Sequence, residues 1–234
     1  MPMRKTLGVI GGVGPLSTAY FMEVLINKTD AVLDQDHVDM IVLNHCEIPD
    51  RTAYILDNTK ENPVPFMKED AIKLEKLGCS VIATPCNTAH YFYNELQSAV
   101  SIPIINMIEE TAIALKKDNV KRAGIMATNG TVATKLFQNA LTKQGIDPVV
   151  PNEENQQFVM DIIYDNVKAG VPIDLEKFKS VVNEFRLHSC DKVILGCTEL
   201  SVLRKEYSLG DFYVDSLEVL CERAIVACGR TVKK

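Results

Sequence analysis

Apolar runs rich in β-branched residues alternate with stretches of helical period, and this alternation limits the fold more than any other feature. The strand-like runs lie at residues 5–11, 38–44, 80–85 and 102–106. Stretches of helical period, near residues 62–77 and 87–98, lie between them. Buried strands joined by helices are typical of parallel sheets covered on both faces. The sequence therefore predicts an α/β fold.

An internal repeat predicts two lobes of similar construction. "GVIGGVGPLSTAYF" begins at Gly8 and "GIMATNGTVATKLF" begins at Gly124, and four residues are identical in the ungapped alignment. We expect lobe 1 to contain residues 1–100 and 212–234, and lobe 2 to contain residues 101–211. The last strand and helix, within "FYVDSLEVLCERAIVACG", are then expected to return to lobe 1. A pseudo-twofold axis would relate the lobes and place the site in the cleft between them, since ligands of open α/β sheets bind at the carboxyl ends of the strands.

Composition excludes several classes of function. The chain has 234 residues and a net charge of −6, and it has no basic patch of the kind that binds nucleic acid. No apolar run is long enough for a membrane helix, and the N-terminal run "LGVI" is too short for a signal peptide. The seven cysteines form no CxxC pair. We therefore expect a cytoplasmic protein with reduced thiols and no membrane partner.

Two cysteines follow strand-like runs and precede small polar residues. They are Cys86 in "PCNT" and Cys197 in "GCTE". A helix that begins directly after a cysteine stabilises a thiolate or a bound carboxylate at its N-terminus. The residues alone leave two interpretations open, either a reactive pair or two buried structural thiols. The other cysteines are predicted to be small buried apolar residues: Cys46, Cys79, Cys190, Cys221 and Cys228.

The glycine turn "GVIGGVGPLS" matches a dinucleotide-binding fingerprint only loosely. Gly12 and Gly14 fit the first two glycines, but Ser17 stands at the third position and Asn44 ends the second strand without an acidic side chain. No GK[ST] sequence for a triphosphate is present. We expect instead that the N–H groups of Gly12 and Gly14 face a small carboxylate.

Two cations and one histidine are further candidates for the site. Arg51, in "IPDRT", follows the second strand and could bind a carboxylate through two parallel hydrogen bonds. Lys168 lies near a helix end, where most lysines only complement the helix dipole. His90 follows Cys86 by four positions, although packing is the commoner role for such a residue. The four histidines show no metal-binding spacing, so no metal ligand is assigned.

These motifs together resemble the aspartate/glutamate racemase family, and its aspartate racemase branch in particular. The resemblance covers nearly the whole chain and depends on "GVIGGVGP", "IPDRT", "PCNTAH", "ATNGT", "VKAG" and "LGCTEL". Glutamate racemases usually begin with an Asp-Ser pair and have Thr-His after the second cysteine. This chain has Gly11-Gly12 and Thr198-Glu199, as aspartate racemases do.

The resemblance implies an enzyme that needs neither pyridoxal phosphate nor a metal, and a homodimer. It implies that Cys86 and Cys197 act as acid and base on one amino acid, Cys86 for the D-enantiomer and Cys197 for the L-enantiomer. It assigns the side-chain carboxylate of the substrate to Arg51 and Lys168. The groups that it implies near the α-carboxylate are Asn87, Thr88, Thr128 and Thr131, with Thr198 in the position equivalent to the residue after Cys86.

The expected reaction is the interconversion of L- and D-aspartate, with glutamate as a further substrate. Inversion requires removal of the α-proton on one face and delivery on the other, which explains two thiols. Glu199 or His90 could tune a thiol. The alternatives are a broad-specificity racemase, a single-cysteine isomerase or decarboxylase on the same scaffold, and an acidic amino-acid binding protein.

Overall fold

The computed structural model describes residues 5–207 and 209–233. The first four residues of the N-terminal stretch discussed above lie outside the described residues. The chain divides into two compact units. Unit 1 contains Met1–Met107 and Leu217–Lys234, and unit 2 contains Ile108–Ser216. Every helix within the described ranges is too short or too polar to cross a membrane.

Strands and helices alternate along the chain. The strands are β1 (Leu7–Gly11), β2 (Met40–Asn44), β3 (Val81–Ala83), β4 (Arg122–Met126), β5 (Asp147–Val149), β6 (Lys192–Leu195) and β7 (Tyr213–Asp215). The α-helices are α1 (Pro15–Lys28), α2 (Arg51–Leu56), α3 (Val64–Lys76), α4 (Tyr93–Gln97), α5 (Met107–Lys117), α6 (Asn129–Ala133), α7 (Leu136–Lys143), α8 (Glu153–Asp161), α9 (Leu175–Leu187), α10 (Thr198–Glu206) and α11 (Ser216–Ala227). Short 3-10 helices lie at Asp34–Asp36 and Thr88–Phe92, and a π-helix lies at Ile162–Val167.

The sheet of unit 1 is parallel and has the strand order β2-β1-β3. All five residues of β1 are buried because a strand pairs on each side of it and helix α3 packs against it. The neighbouring segment 102–106, predicted as a strand, contributes one parallel bridge between Ile104 and Ile82. The main core of this unit surrounds the buried face of α3 and includes Ile10, Met67, Leu74, Ile82 and Phe92.

The sheet of unit 2 is also parallel, with the strand order β5-β4-β6-β7. Its first three strands repeat the arrangement of unit 1. The central strand β4 lies between β5 and β6, as β1 lies between β2 and β3. The α/β fold with two parallel sheets is confirmed. The last strand is a correction: β7 pairs with β6, so Tyr213–Asp215 belongs to the second sheet. The chain returns to unit 1 only at Leu217, near the start of the last helix.

The repeat in sequence corresponds to equivalent structure in the two units. Thr18 Oγ1 donates to the Gly14 carbonyl at 3.0 Å, and Thr134 Oγ1 donates to the Gly130 carbonyl at 2.7 Å. The central strand of each sheet, β1 or β4, also carries a glycine. This glycine lies against a helix or against the turn after that helix. A Cβ at Gly124 would lie 2.6 Å from the Phe185 ring, so this position requires a residue without a side chain.

Candidate functional site

Cys86 lies just beyond the end of β3, at the carboxyl edge of the first sheet. Its N–H donates to the Thr84 carbonyl at 2.8 Å, which turns the chain sharply after the strand. The side chain is buried, with 7% of its surface exposed. A five-residue 3-10 helix follows and continues directly into α4, so the helical stretch predicted near residues 87–98 is present and its first half is 3-10. We call Cys86, Asn87, Thr88 and Arg51 the first half-site.

Asn87 carries an amide that is enclosed without a protein partner. Only 2% of the residue is exposed, and neither Oδ1 nor Nδ2 has a hydrogen-bond partner among the described residues. Thr84 Oγ1, two positions before Cys86, is likewise buried and unpaired within the described ranges. An unpaired buried amide costs about 1–3 kcal/mol, so groups of this kind are retained where a ligand supplies the missing bonds.

His90 is a structural link behind Cys86. The Met107 N–H donates to Nε2 at 3.2 Å, and Nδ1 donates to the Cys86 carbonyl at 2.9 Å. Burial lowers the pKa of His90, so the ring is neutral and both nitrogens are in use. His90 therefore positions the backbone of Cys86, while its nitrogens are directed at main-chain groups.

Arg51 is the first residue of α2, and it is buried. Asp50 caps this helix by accepting from the Ala53 N–H at 2.8 Å. Nη1 of Arg51 donates to the Ile48 and Pro49 carbonyls at 3.3 and 3.0 Å, which fixes the guanidinium in place. Helix α2 packs against the 3-10 helix that follows Cys86. The helix that begins with Arg51 and the segment that follows Cys86 are therefore adjacent.

In the glycine turn after β1, Gly12 differs from its predicted role. The Gly12 N–H donates to Thr18 Oγ1 at 3.0 Å, an internal bond that uses the donor expected to face a carboxylate. Gly12 has φ +80°, and a Cβ there would lie 2.3 Å from the His45 backbone. This glycine is required by the close approach of two chain segments. Gly14, with φ 113°, precedes Pro15 at the start of α1.

Cys197 lies at the carboxyl edge of the second sheet and is the N-cap of α10. Its Sγ–H donates to Glu199 Oε2 at 2.8 Å, and Thr198 Oγ1 donates to the same oxygen at 3.4 Å. All three residues are buried. We call Cys197, Thr198, Glu199, Thr128, Thr131 and Lys168 the second half-site.

Electrostatics keep the Cys197 thiol protonated. Burial raises its pKa well above the ordinary value, and the neighbouring Glu199 carboxylate raises it further. The charge of Lys168 and a backbone hydrogen bond from Glu199 act in the opposite direction. In this unit the thiol is therefore a proton donor, and Glu199 is an acceptor in direct contact with it.

Lys168 follows the π-helix Ile162–Val167, which packs against α10. The side chain is exposed, and Nζ lies 4.0 Å from the centre of the Tyr164 ring. The i to i−5 bond from its N–H to the Ile163 carbonyl, at 3.0 Å, belongs to the π-helical turn. Such turns are frequent at functional sites. The charge of Lys168 lowers the pKa of Cys197, the N-cap of the helix against which this π-helix packs.

Thr128 and Thr131 form a hydroxyl pair after β4. Thr128 caps α6, and its Oγ1 accepts from the Thr131 N–H at 3.3 Å and lies 3.2 Å from Thr131 Oγ1. Both residues are buried. Because β4 and β6 are paired neighbours, this pair and Cys197 lie at the same edge of the sheet.

The other cysteines are mainly structural. Four are buried as predicted, but Cys46 is exposed, because it lies in the loop that follows β2. Burial raises the pKa of Cys190 and Cys228 to about 11, so these thiols are inert. Within the described residues, no three His, Cys, Asp or Glu side chains form a group that could hold a metal ion.

A comparison with known families identifies the chain. The model of the Asp/Glu/Hydantoin racemase family matches residues 10–224, a range that includes both half-sites. The chain belongs to the Asp/Glu/Hydantoin racemase family. This racemase is therefore an isomerase, and the family resemblance drawn from the cysteine motifs is confirmed.

Individual relatives agree with this assignment. An aspartate racemase from Picrophilus torridus has a similar structure, with a TM-score of 0.85 and 34% identity over 98% of this racemase and 96% of that chain. A broad-specificity amino-acid racemase of Bacillus subtilis (strain 168) is 27% identical over 201 residues, 84% of this chain and 86% of that protein. A glutamate racemase of Francisella tularensis, solved with D-glutamate, shares the fold, with a TM-score of 0.70 and 18% identity over 95% of this chain and 80% of that chain.

Sequence reasoning missed one polar pair in unit 1 of the racemase. His45 Nδ1 lies 2.8 Å from Asp70 Oδ2, and Asp70 is almost fully buried on α3. A signal was present: Asp70 shares the buried face of an amphipathic helix with Met67, Ala71 and Leu74. A carboxylate on an apolar face needs a partner.

Proposed function

We propose that this racemase interconverts L- and D-aspartate without a cofactor, by proton transfer between the substrate and the thiols of Cys86 and Cys197. The observation that carries the proposal is the placement of each cysteine directly after a strand of a parallel sheet, beside buried polar groups. Sites in such sheets lie outside the carboxyl ends of the strands. The family match and the 34% identity to an aspartate racemase support the same reaction.

The chemistry follows from the need to invert one carbon. One cysteine, as thiolate, takes the α-proton, and the electron pair of the broken C–H bond moves into the α-carboxylate. The other cysteine, as thiol, gives its proton to the opposite face of the same carbon, where a new C–H bond forms. The first cysteine ends as thiol and the second as thiolate, so the roles exchange for the reverse reaction.

Glu199 supports the role of Cys197 in this scheme. Before Cys197 can take a proton from L-aspartate, its own proton must leave, and the carboxylate at 2.8 Å is the acceptor in contact with it. The positive charge of Lys168 favours the resulting thiolate. The raised pKa of Cys197 means that this thiol is protonated at neutral pH, so it has a proton to give to this face when it serves as the acid.

The transition state needs stabilisation because the α-carboxylate gains a second negative charge. We propose that the amide of Asn87 and the hydroxyls of Thr88, Thr128 and Thr131 donate to it. Asn87 is supported by its enclosed, unpaired Nδ2. A donor of this type is worth about 3–4 kcal/mol of activation free energy. Thr198 donates to Glu199 and is assigned to the same region.

Aspartate is proposed as the substrate because two cations accompany the thiols. Arg51, held by two carbonyls, and Lys168, held over Tyr164, are assigned to the side-chain carboxylate. We also propose that the enzyme is a cytoplasmic homodimer without nucleic-acid or membrane partners. Light scattering of the purified protein would test the dimer.

The deciding experiment is a racemisation assay over L- and D-amino acids, followed by circular dichroism, with no cofactor added. We expect turnover of aspartate in both directions, unaffected by EDTA or by hydroxylamine, which traps pyridoxal phosphate. No racemisation of any amino acid, or activity that depends on added pyridoxal phosphate, would contradict the proposal.

A broad-specificity racemase is the second candidate, favoured by the similarity to the Bacillus subtilis enzyme. The same panel separates the two. A racemase for aspartate should process neutral amino acids at least tenfold less efficiently than aspartate, whereas similar efficiencies for neutral and acidic substrates would support broad specificity.

A further inference from the structure

His45 lies at the carboxyl edge of the first sheet, one residue beyond the end of β2. Its N–H donates to the Gly11 carbonyl at 3.3 Å, and its backbone is the segment that closely approaches Gly12. Strand β1 separates β2 from β3, the strand that leads to Cys86. Neighbouring strands lie about 4.8 Å apart, so the chain segments that carry His45 and Cys86 are about 10 Å apart at this edge.

The imidazole of His45 is held in one orientation by α3 and by an aromatic ring. Nδ1 donates to Asp70 Oδ2 at 2.8 Å, and Asp70 is only 2% exposed. The Phe66 ring contacts the imidazole edge to face, with ring centres 6.0 Å apart. Lys73 lies 3.7 Å from the other Asp70 oxygen. A histidine oriented by a buried carboxylate is a frequent arrangement where the second nitrogen contacts a ligand or substrate.

Nε2 is the nitrogen that this arrangement leaves available. Within residues 5–207 and 209–233 it has no hydrogen-bond partner, and the side chain is 24% exposed. Nδ1 is turned toward a buried carboxylate, so Nε2 is the ring nitrogen left to contact a ligand. With the proton on Nδ1, Nε2 has a lone pair and accepts hydrogen bonds.

The substrate also carries an α-ammonium, which needs several hydrogen-bond acceptors. Among the residues assigned to the first half-site, Oδ1 of Asn87, unpaired within the described residues, is one such acceptor, and the Arg51 guanidinium offers only donors. In the second half-site Oε2 of Glu199 accepts from both Cys197 and Thr198. At the carboxyl edge of the first sheet, Nε2 of His45 is a further open acceptor, on a ring that Asp70 holds in place.

We infer that Nε2 of His45, held by Asp70, accepts a hydrogen bond from the α-ammonium of the substrate. This inference rests on the proposed racemase function and names a substrate-binding residue beyond those assigned there. The pair binds the ammonium equally in the ground state and in the transition state, so it affects KM more than kcat.

The test uses two substitutions of His45 that distinguish the contact made by Nδ1 from the contact made by Nε2. In His45→Asn the side-chain amide can replace Nδ1 and keep the bond to Asp70, but nothing replaces Nε2. In His45→Gln the longer side chain places an amide oxygen near the position of Nε2. We expect His45→Asn to raise KM for L-aspartate at least tenfold with little change in kcat, and His45→Gln to stay within threefold of the wild type.

Succinate, which is aspartate without its amino group, provides the second measurement. Its inhibition constant should be the same in the wild type and both variants, since the inferred contact involves only the ammonium. Asp70→Asn should raise KM for aspartate by an intermediate factor. His188→Asn, at an exposed histidine of unit 2, is the matched control and should change nothing.

An unchanged KM in His45→Asn would overturn the inference. An equal loss of affinity for aspartate and succinate would also overturn it, because such a loss indicates a contact with carboxylates or a loss of structure. If succinate does not inhibit the wild type, the comparison of His45→Asn with His45→Gln decides alone, and equal KM values reject the inference. A wild-type protein that racemises no amino acid would instead contradict the proposed function.

Discussion

In unit 1, Cys86 follows β3 and precedes a short 3-10 helix, whereas in unit 2, Cys197 follows β6 and begins the α-helix α10. The strands before them occupy equivalent places beside a central strand. The surroundings differ: Cys86 is next to an amide that has no hydrogen-bond partner in the part of the chain that the structure describes, and Cys197 donates to a buried carboxylate. Related scaffolds thus provide a donor-rich first half-site and a second half-site with its own proton acceptor.

This difference shows how a repeated fold can place two thiols in unequal surroundings. The backbone repeat brings a thiol to the carboxyl edge of each sheet. The side chains that follow each thiol then differ: the Asn87 amide lies next to Cys86, and the Glu199 carboxylate contacts Cys197. In unit 1 His90 is engaged by main-chain groups, so tuning through a contacting carboxylate is a feature of the second half-site.

Serine at either cysteine is expected to have the largest effect and tests whether both half-sites are needed. Cys86→Ser and Cys197→Ser should each lower racemisation at least about 10³-fold, since a serine hydroxyl is a much weaker acid and base for this step. Exchange of the α-proton with deuterated solvent, followed by NMR, should survive from one enantiomer only and from opposite enantiomers in the two variants. Full racemase activity in either variant would refute the two-base scheme.

Asn87→Leu should reduce activity and preserve or increase stability. The loss of a transition-state donor should lower kcat about 10²–10³-fold. Removal of an unpaired buried amide should leave the free energy of unfolding unchanged or raise it by about 1 kcal/mol. Urea denaturation and initial rates measure the two effects.

Asn139→Leu, at an exposed asparagine of α7, is the control for the Asn87 variant and should leave the rate unchanged. Lower stability in Asn87→Leu would show that the amide is a structural group, and the contrast drawn here between the half-sites would then fail.

The two cations offer a comparison of a buried and an exposed residue. Arg51→Lys removes the fork that binds a carboxylate through two parallel bonds, and it should raise KM for aspartate by about one to two orders of magnitude. Lys168→Gln should raise it less, because an exposed ammonium is screened by solvent. KM for alanine, measured in parallel wherever turnover is detectable, should change by less than threefold. Equal changes for aspartate and alanine would remove the case for a side-chain carboxylate at these residues.

Glu199→Gln gives the smallest effect and isolates the electrostatics of the second half-site. A neutral amide no longer raises the pKa of Cys197, so more thiolate is present at any pH below that pKa. Alkylation of Cys197 by iodoacetamide near pH 8 should accelerate at least threefold, as measured by peptide mapping. Cys190 has the same exposed fraction of 7% and a pKa raised to about 11 by burial, and its rate should not change. Equal rates of Cys197 alkylation in the wild type and in Glu199→Gln would show that Glu199 does not raise the pKa of this thiol.

The sequence alone determined the α/β class, the two sheets and the family, because these depend on local signals. Apolar runs of β-branched residues predict buried strands, and the repeat of glycine, threonine and phenylalanine marks equivalent turns and helices. The two cysteine motifs likewise predicted thiols at strand ends. All of these features are encoded within a few neighbouring residues.

Tertiary structure decided the features that join distant segments. The pairing of β7 with β6, the internal bond from the Gly12 N–H to Thr18, and the contact of His45 with Asp70 each depend on packing. Sequence patterns record which residues prefer burial or a given backbone conformation. They do not record which buried polar group meets which partner, because that depends on side-chain positions to within about an ångström, and these are set only when helices and strands pack together.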